Sequence, residues 1–353
     1  VSSLGAILFV DAVAVLNDRL LVSPRARAEA ETFGLLVPAA TVAVPALGGL
    51  GVGLLLARAS PLGRPVGPPD VIRAVQMGTQ LPGIRASLVS AVAGVLSLGA
   101  GASVGQYGPM VALGAMVGGL IGRLRRQVPN LGAIAIACGV AAAISTAFNA
   151  PIAGLVFAHE VVLRHYSTQA FAPTTVASSI GFVIAAVVFE RPPLFLVAFD
   201  GVAHGHEFAL FAAIGVLSAG LAIGFMALVL AAARAAARSR VPPALRPALA
   251  GLAVGITALW LPDVLGIGSE ALRFATIEGA FHPAELAGLV LAKTALTALC
   301  IGFGFAGGVF SPALLVGVLF GALCWSLVDM TGAVPTSGIA VYALCGMMAM
   351  ASP

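Results

Sequence analysis

Gly99-Ala-Gly-Ala-Ser-Val-Gly-Gln-Tyr-Gly-Pro109 and Gly302-Phe-Gly-Phe-Ala-Gly-Gly-Val-Phe-Ser-Pro312 are glycine-rich interruptions in a chain that is otherwise almost continuously apolar. Each ends in a proline that opens a new apolar run, and proline suits the first turn of a helix because it has no N–H to leave unsatisfied. Gly105, Tyr107, Pro109, Gly114 and Gly118 recur as Gly308, Phe310, Pro312, Gly317 and Gly321, each 203 residues later. A constant offset over positions of like type marks two homologous halves. A second echo, Ala137-Cys-Gly-Val-Ala-Ala-Ala143 against Leu344-Cys-Gly-Met-Met-Ala-Met350, falls at nearly the same spacing.

Of the 353 residues, 60% are hydrophobic and only 9% charged, with a mean hydropathy of +1.07. Soluble domains carry about a quarter charged residues, so the composition excludes one. At about 20 apolar residues per crossing the length allows on the order of ten membrane helices and little else. Apolar runs fall near 4–15, 34–57, 84–104, 109–122, 131–147, 151–163, 174–189, 207–236, 244–261, 285–303, 311–328 and 338–351. The net charge of +4 comes largely from arginines in short polar stretches, such as Arg123, Arg125 and Arg126, or Arg234, Arg238, Arg240 and Arg246, which mark loops and helix ends. Cys138, Cys300, Cys324 and Cys345 lie singly in apolar runs and read as small buried side chains. Val1–Val22 lacks the features of a secretory signal and reads as a chain entered partway.

Helices that stop inside a membrane leave backbone groups free, which is tolerated only where they line a cavity or bind something. A helix N-terminus carries roughly half a positive charge and aims its orphan N–H groups outward. Two such ends converging form an anion site that needs no basic side chain, which suits a conducted ion that must also leave. Gly114-Ala-Met-Val-Gly118 and Gly317-Val-Leu-Phe-Gly321 read instead as close helix packing.

These residues resemble the CLC family of chloride channels and proton-coupled chloride exchangers. Gly105-Gln-Tyr-Gly-Pro109 is similar to the family's G(K/R)EGP, Gly308-Val-Phe-Ser-Pro312 to GxFxP, and Phe148-Asn-Ala-Pro-Ile-Ala-Gly-Leu-Val-Phe-Ala-His-Glu160 to the FNAPLAG stretch that ends in glutamate. The resemblance implies an all-α integral membrane protein, a CLC-like fold of two inverted-topology repeats with broken, tilted helices. Residues 1–203 would hold the N-terminal region and first repeat, and 204–353 a second repeat whose final helical region is missing. It implies a homodimer in a bacterial-type cell (inner) membrane, one anion pore per subunit, and no cofactor, metal or nucleic acid. Carried over position by position, the anion contacts are Val66, Gly67, Gln106, Tyr107, Gly108, Val309 and Phe310, with Tyr107 at the gate and Glu160 and Val161 at the inner relay.

The departures shape the function expected. Val66 stands where the family has an anion-contacting serine, and a valine side chain donates no hydrogen bond. Tyr107 replaces the gating glutamate; its unperturbed pKa of about 10, against about 4.3, keeps it neutral at physiological pH. Val161 replaces the second relay glutamate, and Gln106 the basic residue of the outer mouth. Losing both titratable groups predicts passive or uncoupled movement of small anions, chloride first. The alternatives are a proton-coupled exchanger using His159 and Glu160, a transporter for fluoride or nitrate, or a closed pseudo-transporter. Lys293, the chain's single lysine, faces the anion path, a partner or an interface. Catalysis has no visible equipment: no HExxH, GxGD or P-loop pattern occurs.

Overall fold

A computed structural model describes residues 1–30, 36–123, 130–190, 202–332 and 336–351; Arg125 and Arg126, expected in a basic loop, lie outside them. The first half holds α1 (Ser2–Arg19), α2 (Pro24–Ala30), α3 (Leu36–Ala59), α4 (Pro68–Gln76), α5 (Ile84–Gly99), α6 (Tyr107–Gly122) and α7 (Leu131–Phe148). Next come α8 (Pro151–Phe157), which runs on as a π-helical turn (Ala158–Leu163), and α9 (Thr168–Val183). The second half holds α10 (Glu207–Arg238), α11 (Arg246–Thr257), α12 (Ser269–Phe274), α13 (Pro283–Gly302), α14 (Phe310–Thr331) and α15 (Ile339–Ala351). Among the described residues, six helices are long and apolar enough to cross a membrane: α3, α7, α9 with its π-helical extension to Val188, α10, α13 and α14. Leu8, Ile152, Val216, Ile223 and Leu291 are each at least 70% exposed, as a lipid-facing surface requires.

In order, α1, α3, α4, α5, α6 and α7 have counterparts in α10, α11, α12, α13, α14 and α15, within several residues of the same offset. Packing repeats as well. A Cβ built on Gly114 would sit 2.5 Å from the Gly139 carbonyl oxygen, and one on Gly317 2.6 Å from that of Gly346, so α6 lies on α7 as α14 lies on α15. The equivalent helices α3 and α11 pack on each other: Gly49 faces Pro247 and Gly53 faces Ala244, while Gly251 faces Pro45 and Gly255 faces Thr41. Residue numbers rise on one helix as they fall on the other, so the pair is antiparallel. A two-fold axis relating antiparallel membrane helices lies across them, which is inverted topology.

Near that axis the halves exchange matched contacts. Ser97 Oγ accepts from the Ala306 N–H at 3.1 Å, and Cys300, 203 residues after Ser97, meets the backbone N–H of Ser103, 203 before Ala306. Ser103 Oγ also pairs with Thr297 Oγ1 at 3.1 Å. Gly101-Ala-Ser-Val-Gly105 does have the GxSxG spacing of a hydrolase nucleophile turn, but this contact makes Ser103 a fully buried strut between the halves.

The apolar run 84–104 ends as a helix at Gly99, short of its full length. Gly101 adopts φ +82 there, a conformation other residues rarely take, and turns the chain toward the motif. Lys293 is 1% exposed and faces a partner: its Nζ donates to the carbonyls of Val264 at 2.9 Å and Gly266 at 2.7 Å. Gly266 in turn donates to Gly101 at 2.9 Å. A buried ammonium is tolerated when its donors are engaged, and here it fixes the second half's loop to the turn ahead of the first motif.

Candidate anion site

The two interrupted segments meet. Gly105 and Gly308 exchange both backbone hydrogen bonds, each 2.8 Å, as an isolated antiparallel bridge. A Cβ on Gly105 would lie 3.0 Å from the Gly308 carbonyl oxygen, and one on Gly308 2.9 Å from the Gly108 nitrogen. Glycine is therefore the residue that lets the backbones approach. From the bridge α6 starts at Tyr107 and α14 at Phe310, and neither has a side-chain cap. Their first-turn N–H groups are left to whatever lies in front of them. Ser311 is buried, and its hydroxyl has no hydrogen-bond partner among the described residues.

Four aromatic rings enclose the point where the helices begin. Tyr107 contacts Phe157 edge-on, centroids 5.1 Å apart, and Phe310 at 5.4 Å with a 38° tilt; Phe148 meets Phe310 edge-on at 6.2 Å. The Phe148-Asn-Ala-Pro151 turn supplies one of the four and starts the helix that carries another. Asn149 caps α7 in the left-handed conformation (φ 53) and Pro151 opens α8, so Phe148 ends one helix and Phe157 lies on the next. The structure brings Tyr107, Gly108 and Phe310 together; Gln106 and Val309 are the N-cap residues of α6 and α14, and Gln106 is buried.

Val66 and Gly67 lead into α4. Val66 is 3% exposed, in a small cluster with Ala86 and Ala112, and its N–H donates to Ser90 Oγ at 2.8 Å. Gly67 is the N-cap of α4 and donates to Asp70 Oδ2 at 3.1 Å. Arg64 grips Asp70 with two bonds of 2.7 and 2.8 Å, and that hydrogen bonding holds the Asp70 carboxyl below its ordinary pKa.

The inner-relay positions fall in the π-helical turn. Glu160 is exposed and accepts from the Tyr166 hydroxyl at 3.0 Å; Val161 is half-buried. His159 is fully buried, with Nδ1 3.2 Å from the His165 carbonyl, Nε2 2.9 Å from Thr174 Oγ1, and its ring stacked on Tyr166. Gln76 of α4 donates to the Val162 and Leu163 carbonyls, each at 2.9 Å, satisfying groups that a π turn leaves free.

Three residues escaped the sequence reading. Ser90 and Ser311 are serines in apolar helices, where only three-dimensional neighbours give the hydroxyl a role. Glu207, fully buried, accepts from the Ser337 N–H at 2.6 Å, the Ser337 hydroxyl at 2.7 Å, the Tyr342 hydroxyl at 2.9 Å and the His204 N–H at 3.1 Å. A carboxylate that opens a long apolar helix was the signal available for it.

A helical membrane protein of two inverted repeats, in which two uncapped helix N-termini meet across a backbone bridge, has the architecture of an anion transporter. Residues 48–352 match the family described as voltage gated chloride channel. The chain is 34% identical over 324 residues to a Ralstonia nicotianae protein named for its likeness to the chloride channel ClcB, spanning 88% of this chain and 73% of that one. It is 30% identical over 306 residues to the Escherichia coli voltage-gated ClC-type chloride channel ClcB, spanning 82% and 71%. Among solved structures, a slow cyanobacterial Cl−/H+ antiporter superposes with a TM-score of 0.85 at 23% identity, over 98% of this chain and 82% of that one. A CLC-type fluoride/proton antiporter gives 0.79 at 22%, over 99% and 84%. The chain belongs to the voltage-gated chloride channel (CLC) family: it is an integral membrane protein of an anion-transporting family, not an enzyme.

Proposed function

We propose that this protein passes small anions, chloride first, down their gradient without coupled proton movement, through one pore in each subunit of a homodimer. The observation that carries this reading is the gate position. Tyr107 stands there as a neutral aromatic wedged between Phe157 and Phe310, with no carboxylate to compete with the anion or to carry a proton. Val161 after Glu160 supports the same reading, since a valine offers no inner proton site. In this account the anion is held by the first-turn N–H groups of α6 and α14, and Tyr107 admits it by swinging aside, with its hydroxyl free to donate a hydrogen bond as it does so.

The test is efflux from liposomes loaded with chloride, with proton movement recorded in parallel and Tyr107→Glu as the comparison. Chloride efflux without proton flux is the expected result. Proton movement in fixed ratio to chloride would overturn uncoupled transport and point to His159 and Glu160. Efflux of fluoride or nitrate in preference to chloride would reassign the substrate, and a folded dimer with no flux of any anion would make Tyr107 a permanent closure.

A further inference from the structure

Away from the anion site, a cavity of about 1000 Å³ opens where the ends of α1, α5 and α11 meet the start of α3. That volume is at the upper end of the range for small-molecule sites. Its walls are mainly apolar, including Val13, Val22, Leu98, Leu265, Phe274 and Phe281. Three ionisable side chains break them: Arg27, Asp263 and Glu270.

Arg27 is incompletely satisfied. Its Nη2 donates to Thr41 Oγ1, while its Nε is buried without a partner among the described residues. A guanidinium offers five donors in a fork that matches phosphate oxygens. Asp263 is shared electrostatically between Arg27 and buried Lys293, with Glu285 opposing both; burial, reinforced by Glu285, holds its carboxyl above the ordinary pKa. Glu270 is exposed at the rim, and no hydrogen bond or ion pair engages it among the described residues. The cavity therefore offers one cation inside, beside a carboxylate that it shares with Lys293, a second carboxylate at the mouth, and an apolar wall.

Depth identifies the class of occupant. Thr41 lies in the second turn of the membrane-spanning α3, and α11 runs antiparallel to α3 from its basic end at Arg246 to Trp260, which is 74% exposed just beyond the helix. Exposed tryptophan at a helix end marks the headgroup level of a bilayer. We propose that this cavity binds a zwitterionic phospholipid of the ethanolamine type, with its phosphate on Arg27, its ammonium at Glu270 and an acyl chain along the apolar wall. One wall, Leu265–Gly268, is the segment that Lys293 and Gly101 fix, so the lipid would buttress the approach to the first motif.

Native mass spectrometry of the purified full chain, offered phosphatidylethanolamine, phosphatidylglycerol or soluble phosphoethanolamine, tests this. Wild-type protein is expected to retain phosphatidylethanolamine about tenfold better than Arg27→Gln does, as loss of a charge-assisted hydrogen bond implies. The exposed control Arg19→Gln, outside the cavity, should match wild type. Glu270→Gln should keep phosphatidylglycerol binding and lose the preference for ethanolamine, which no folding defect would mimic. Equal retention by wild type and Arg27→Gln would overturn the site. Wild-type preference for phosphatidylglycerol would overturn the zwitterionic assignment, and equal competition by soluble phosphoethanolamine would make the occupant a polar solute rather than a lipid.

Discussion

Replacing Tyr107 by alanine should open the pathway. Its ring holds one edge-on contact with Phe157 and one tilted contact with Phe310, at centroid separations of 5.1 and 5.4 Å. Aromatic pairs of this geometry contribute about 0.5–1.5 kcal/mol each beyond their buried area, so the two hold the closed arrangement by about 1–3 kcal/mol. At about 1.4 kcal/mol per decade, that is an increase of about 5- to 150-fold in the open population. Single-turnover chloride efflux from liposomes at low protein density reads the change directly. Tyr107→Phe separates ring from hydroxyl: both ring contacts survive, so the gate should stay shut as in wild type while apparent anion affinity falls severalfold through loss of one donor. Unchanged efflux in Tyr107→Ala, with the protein folded and dimeric, would refute the idea that these ring contacts close the path.

Three further outcomes follow from contacts elsewhere. Glu207→Gln puts an amide where two donors, the Ser337 hydroxyl and the His204 N–H, now point at a carboxylate oxygen; about 2–4 kcal/mol should be lost, seen as earlier thermal unfolding in detergent, and unfolding at the wild-type temperature would argue against this network. Ser90→Ala orphans the buried Val66 N–H and should cost about 1–3 kcal/mol; a wild-type unfolding midpoint would mean that water or another group replaces the hydroxyl. The Asp70 carboxyl is depressed in the fold by Arg64, so its stabilisation is complete above its unfolded pKa of about 3.9 and disappears as pH falls below that value toward the folded pKa. Because Arg64 is 55% exposed, the amount is under about 1 kcal/mol and screened by salt; stability should be flat above pH 5, and Asp70→Asn should lose part of the acid-side decline.

Most of the frame was legible because a bilayer imposes it. Apolar runs at 131–147, 207–236 and 285–303 became α7, α10 and α13 with ends displaced by at most a few residues, since length and hydropathy decide what can cross. The short helices α2, α4 and α12 were not legible: each has six to nine residues, and polar side chains break up its apolar pattern. Glycine and proline spacing announced the duplicated motif, yet that Gly105 and Gly308 bond to each other needed the fold. The same limit hid the partner of Lys293, whose two carbonyls lie 27 and 29 residues away, and that of the Val66 N–H, 24 residues away. Side-chain identity fixes which chemistry is available at a position; which neighbour receives it is a property of packing.

The reciprocal bond between Gly105 and Gly308 has the form of an isologous interface, in which one patch meets a copy of itself. In a true dimer every substitution there would be felt twice, whereas in one fused chain the two copies are free to diverge. Ser97 and Cys300 already have, one using a hydroxyl and the other a thiol for the same backbone contact. The glycines at the bridge have no such latitude, because a Cβ on Gly105 strikes the Gly308 carbonyl and one on Gly308 strikes the Gly108 nitrogen. The seam between the halves is thus where a tandem duplication stays under mutual constraint, while its flanks specialise into two unequal faces of one conduit.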